Sequence, residues 1–172
     1  MPDSTAGQSG TSDRSRHGDG TIAVDQEGGP VQTLKGAGFD RVPTALGRGR
    51  QDPAALRSAT AGWAGQLHDA EITMDLGPVA DTVPAGTEAD NPPIGACDRQ
   101  LGSDPQAVAA SVTTVVEALQ DAGVVATAEH FPGLGRVRVN TDTDLEAPDP
   151  ETSPEDRAWR RSPRPWTPGS AR

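Results

Sequence analysis

Asp52-Pro53 and Asp104-Pro105 are two identical helix starts, and they divide the chain into alternating elements. An aspartate side chain accepts from the free backbone N–H groups at a helix start. Proline suits the first helical position, where its missing N–H would have had no partner. Behind the first pair, Leu56, Ala59, Trp63 and Leu67 recur at steps of three and four; behind the second, Val108, Val112, Val115 and Leu119 do the same. Gly123 stands where the second helix is expected to stop. Short β-rich runs lie around them: Thr21 to Val24, Ile72 to Val79 with a break at Gly77-Pro78, and Val124 to Ala128. The order strand, helix, strand, helix, strand predicts an α/β fold with parallel strands and right-handed crossovers. Sites in such folds form at the C-terminal ends of the strands, where Asp25, Asp81 and His130 fall.

The ends of the chain read differently. Residues 1–20 are Ser, Gly, Asp, Thr and Arg with little to bury, and residues 147–172 alternate Pro with charge around Trp159 and Trp166. Both are expected to be disordered arms around a domain at 21–146. Hydrophobic residues are 33% of the chain, with 20 Gly and 16 Pro, so much of it is expected to be loop.

Charge and composition exclude several classes. With 25 acids against 15 bases the net charge is −10, which repels phosphate backbones and argues against nucleic acid as a partner. Cys97 is the single cysteine, so neither an internal disulfide nor a cysteine-based zinc site is available. No apolar run reaches the ~18 residues of a membrane span. The N-terminal residues lack the apolar centre of a secretory signal, so the chain as it stands is expected to be cytoplasmic.

Three polar segments follow the strands. Asp25-Gln26-Glu27-Gly28-Gly29 is expected to be a loop with two carboxylates, either a solvated turn or a ligand-holding segment. Glu129-His130-Phe131-Pro132-Gly133-Leu134-Gly135 places a charged pair at the end of an apolar strand; His130 would donate to a ligand, orient a carboxylate, or serve as a structural turn residue. Asn140-Thr141-Asp142-Thr143-Asp144 lacks the glycine and terminal glutamate of a helix-loop-helix calcium site, so no metal is assigned. No cofactor is expected. Arg99, in the long loop 80–102, has the planar fork that suits a carboxylate or sugar hydroxyls.

Taken in order, VDQEGG, GPVADT, NPPIG with DR and GSDPQAVA, ATAEHFPGLGR and NTD resemble the β-N-acetylglucosaminidase branch of glycoside hydrolase family three. The resemblance spans residues 21–144 and implies an N-terminal (β/α) TIM-type barrel domain. A full barrel needs roughly 200 or more residues, so this chain is expected to be an incomplete barrel. The resemblance implies a retaining glycosidase acting on terminal β-linked N-acetylglucosamine, in carbohydrate metabolism or cell-wall sugar recycling. It places Asp25, Arg99, Glu129 and His130 around the terminal sugar.

The departures from the family pattern are specific. The family's acid/base dyad, Asp-x-His, falls here on Asn140 and Asp142. A carboxylate such as Asp142 acts as a general acid only where a partly apolar site raises its pKa. The usual Lys-His pair is Glu129-His130, which puts an acid where a cation would donate to the sugar. No residue matches the family nucleophile. The chain is therefore expected to be a truncated, inactive fragment that self-associates through uncovered barrel edges. The alternative is a non-catalytic saccharide-binding or interaction protein.

Overall fold

The computed structural model describes residues 20–153. Its core is a three-stranded parallel sheet of β1 (Ala23–Val24), β4 (Met74–Asp75) and β5 (Val125–Ala126), in that spatial order. The register aligns Ala23 with Met74 and Val125, and Val24 with Asp75 and Ala126. Two helices connect these strands, α2 (Pro53–Asp69) and α3 (Pro105–Asp121). They pack on each other and share one core with the strands: Val24, Leu56, Trp63, Leu67, Val115, Leu119 and Val124. This is the expected β-α-β-α-β order, with shorter strands. The Ile72–Val79 run keeps regular pairing only at Met74–Asp75, and Val79 returns as an isolated parallel bridge to Glu129.

Both helices begin as the Asp-Pro pairs dictate. Asp52 Oδ1 accepts from the N–H groups of Ala54 and Ala55, each at 3.0 Å. Asp104 Oδ1 accepts from Gln106 at 3.1 Å and Ala107 at 2.8 Å. Gly123, at φ +81°, follows α3 and sends its N–H back to the Gln120 carbonyl. The buried stripe of α2 differs from expectation at one position. Ala59 is exposed and Thr60 is buried in its place, its hydroxyl satisfied by the Leu56 carbonyl at 2.8 Å. In α3, Val108, Val115 and Leu119 are buried as expected and Ala118 joins them, while Val112 is only partly buried.

The segment expected as a DQEGG loop is instead a hairpin. Strand β2 (Gln26–Gly28) pairs antiparallel with β3 (Val31–Gln32). Polar residues form this buried strand because their amides replace missing backbone partners. Gln26 bonds both the N–H and the carbonyl of Leu34, and Gln32 ties the Leu34 and Asp40 carbonyls to the Val42 N–H. Gly28, at φ +88°, lies so close to Pro43 that a Cβ would meet its carbonyl oxygen at 2.5 Å. A short helix α1 (Ala45–Arg48) follows, and the long loop contains two single 3-10 turns, Glu88–Asp90 and Gly95–Cys97.

Residues 1–19 and 154–172, including Trp159 and Trp166, lie outside the described residues, as does most of the expectation of disordered arms. Within 147–153 there is no helix or strand, and Asp149 Oδ1 accepts from the N–H groups of Glu151 and Thr152, both at 3.0 Å.

Candidate functional site

The C-terminal ends of the parallel strands carry one connected set of charged side chains. Asp25 follows β1 and Glu27 lies in β2; Asp75 ends β4, and Glu129 and His130 lie shortly beyond β5. Arg99 reaches the set from the long loop. Its Nε donates to Glu27 Oε2 at 2.9 Å and its Nη2 to Oε1 at 2.7 Å, while Nη1 holds the Pro93 carbonyl. Such a planar two-point match is available to Arg and not to Lys. The pair holds the Arg99 guanidinium above its ordinary pKa, Glu27 being the main cause.

His130 is held from the other side. Its Nδ1 lies 2.6 Å from Asp81 Oδ2, and Asp81 is fully buried. Asp81 Oδ1 accepts from the N–H groups of Leu134 and Gly135, at 2.6 and 3.1 Å. The hydrogen bond to Asp81 raises the His130 pKa, against the opposing effect of burial. The other ring nitrogen, Nε2, lies 3.7 Å from Glu129 Oε2.

Between these two anchors, Asp25, Glu27 and Glu129 bring one carboxylate oxygen each within 4.8 Å of one another. Burial, with Glu27 nearby, raises the Glu129 pKa. Both Glu27 oxygens are already engaged by Arg99, so the cluster is a partly neutralised, acceptor-rich group of side chains and carries no metal assignment. Beneath it lies a second, fully enclosed layer. Asp75 is 1% exposed and accepts from the Gln26 N–H at 3.0 Å, and burial raises its pKa to about 7. Arg48 is also buried, donates to the Glu27 carbonyl, and is lowered to about 10 by desolvation.

The structure therefore brings together five residues singled out from the sequence: Asp25, Asp81, Arg99, Glu129 and His130. It leaves two apart. Asn140 and Asp142 are exposed on a turn, where Asn140 Oδ1 accepts the Asp142 N–H at 2.9 Å. Glu27, part of the DQEGG motif but not assigned to the site, is the partner of Arg99. The Asp75–Arg48 layer went unassigned as well. An aspartate inside the run ITMDL was its one visible signal. Arg48 gives none.

Comparison with known proteins gives the family and the fold. Residues 5–157 match the glycosyl hydrolase family 3 N terminal domain. A beta-hexosaminidase of Tolumonas auensis is 37% identical over 131 residues, covering 74% of this chain and 36% of that protein. One from Xanthomonas euvesicatoria pv. vesicatoria is 37% identical over 136 residues, covering 75% and 38%. The crystal structure of a beta-N-acetylhexosaminidase from Beutenbergia cavernae superposes with a TM-score of 0.80 at 40% identity, covering 81% of this chain and 42% of that one. The three-stranded wall is thus part of a TIM-like α/β fold, and the chain spans well under half the length of each of these relatives.

Proposed function

This chain belongs to glycosyl hydrolase family 3, and from that membership we propose that its cleft holds a terminal β-linked N-acetylglucosamine. The observation that carries this reading is the convergence of Asp25, Arg99, Glu129 and His130 at the C-terminal end of three parallel strands. Carboxylates accept from sugar hydroxyls, and a partly exposed imidazole completes the set with a donor or acceptor at Nε2. The relatives' beta-hexosaminidase names supply the substrate class.

The family reaction is proposed for the protein as hydrolysis of an O-glycosyl bond, but these 172 residues are proposed to bind without turning over. Asn140 cannot give or take a proton, and Asp142 is exposed rather than enclosed in an apolar site. The second reading is therefore a saccharide-binding chain. We assign the barrel piece to residues 21–146. Self-association through its open side is proposed from Ile22 and Val125, which are 49% and 52% exposed on or beside the outer strands. Sedimentation at several concentrations checks that point.

Calorimetric titration with N-acetylglucosamine tests the main reading. Binding that is lost in Asp25→Ala supports it. Wild-type protein that takes up no sugar, or an Asp25→Ala variant that binds as well as wild type, overturns it.

A further inference from the structure

Asp81 has no part in the reading above, yet among the described residues it is the most fully engaged carboxylate beside this cluster. It is fully buried, and three hydrogen bonds converge on it. Two come from backbone N–H groups of the loop after His130, and the third comes from the His130 ring. A Cβ on Gly135 would meet the Thr82 carbonyl oxygen at 2.2 Å, so this loop lies directly against the Asp81-Thr82 backbone. The carboxylate is thus locked in position before any ligand arrives.

A locked carboxylate dictates which ring nitrogen carries the proton. A carboxylate accepts only, so Nδ1 must donate to Oδ2. The neutral ring is then unprotonated at Nε2, which is the reverse of the tautomer that free histidine favours. The second nitrogen of an imidazole takes its role from the hydrogen bond that the first one makes. Nε2 lies 3.7 Å from Glu129 Oε2, one of the three clustered carboxylates, and the His130 side chain is 25% exposed.

We propose that Asp81 is a positioning residue that fixes the His130 proton on Nδ1 and makes Nε2 the atom offered to the saccharide, an acceptor when the ring is neutral and a charged donor when it is protonated. Saccharide binding at this site therefore strengthens as pH falls across the titration of His130. This rests on the saccharide reading of the preceding subsection. The groups facing the ring are Asp81 from the segment after Val79, Arg99 from the long loop and Glu129 beside it in the chain. Asp81 and Glu129 favour the charged ring and Arg99 opposes it, with Asp81 the largest influence.

The chain has three histidines, so a His17→Gln, His68→Gln background leaves His130 as the sole imidazole signal. Nitrogen NMR of the labelled ring at alkaline pH should show a protonated Nδ1 and a bare Nε2. Asp81→Asn keeps an oxygen for the Leu134 and Gly135 N–H groups but turns an amide N–H toward the ring. It should invert the tautomer and lower the His130 pKa. Glu129→Gln, which leaves Asp81 in place, should keep the proton on Nδ1 and stands as the second variant if Asp81→Asn does not fold. Calorimetry with N-acetylglucosamine should show binding about threefold tighter or more near pH 6 than near pH 8.5, because a charged donor makes the stronger hydrogen bond. In Asp81→Asn that ratio should collapse toward one. A wild-type ring protonated at Nε2, a folded Asp81→Asn with an unchanged tautomer, a Glu129→Gln ring that flips, or pH-independent binding by the wild type overturns the proposal. Absence of binding at every pH overturns the saccharide reading instead, while the tautomers still decide the role of Asp81.

Discussion

Arg99 and Glu27, 72 residues apart in sequence, close a bidentate ion pair that ties the long loop to the hairpin behind β1. The Glu27 side chain is 3% exposed and that of Arg99 19%. Taking away one partner of such a pair leaves a buried charge uncompensated, which costs far more than the pair contributes as a whole. Arg99→Ala should therefore destabilise the chain by about 3 kcal/mol. Arg99→Lys should recover only part of this, since an ammonium lacks the planar fork. Urea denaturation of the three proteins checks both statements.

A second prediction concerns pH. Burial raises the Asp75 pKa to about 7, so the folded chain holds a proton that the unfolded chain has released. Stability falls with rising pH wherever the folded state binds more protons. The loss should run from about pH 4, the ordinary carboxylate value, to about pH 7. Glu129 and His130 are also raised, and their contributions have the same sign. For His130 the stability is present below its ordinary value and is lost as pH rises through the folded one. Asp75→Asn keeps an oxygen for the Gln26 N–H, so it should flatten the Asp75 part of the decline and leave the part due to Glu129 and His130. Thermal melts at a series of pH values separate the two.

The caps give a third prediction. Asp104→Ala removes the acceptor for two N–H groups of α3 and should cost about 1 kcal/mol. Asp104→Asn should restore most of it, because the amide oxygen caps nearly as well. Urea midpoints of the two variants beside wild type provide the comparison.

Those caps also show why part of the fold could be read from the residues. Capping and helical periodicity are local, so Asp52, Asp104 and Gly123 mark their elements without help from the rest of the chain. The parallel order followed from the alternation of elements. The hairpin was hidden because Gln26 and Glu27 are not strand formers; they lie in β2 through bonds to Leu34 and to Arg99, partners 8 and 72 residues away. Thr60 can take a core position because its hydroxyl is satisfied by the Leu56 carbonyl of its own helix, so its polar residue type hid its burial.

The site divides along the same line. Asp25, Arg99, Glu129 and His130 were visible as charged residues at strand ends or in the long loop. Asp81 was visible too as a strand-end position, but its pairing with His130 across 49 residues was not, nor was the supporting layer of Asp75 and Arg48, in which Asp75 meets the Gln26 N–H across the same separation. No local pattern encodes such pairs.

We propose that Asp25, Arg99, Glu129 and His130 hold a sugar while Asn140 and Asp142 do not replace the proton-donating pair of the family. Release of the chromophore from a β-N-acetylglucosaminide, followed at several protein concentrations beside Asp142→Ala, tests it most directly. Cleavage needs protonation of the leaving oxygen and attack on the opposite face of the sugar, by groups about 5–5.5 Å apart in a retaining enzyme. Both proteins should release the chromophore only at background rates at every concentration. Release well above background that disappears in Asp142→Ala would contradict the proposal.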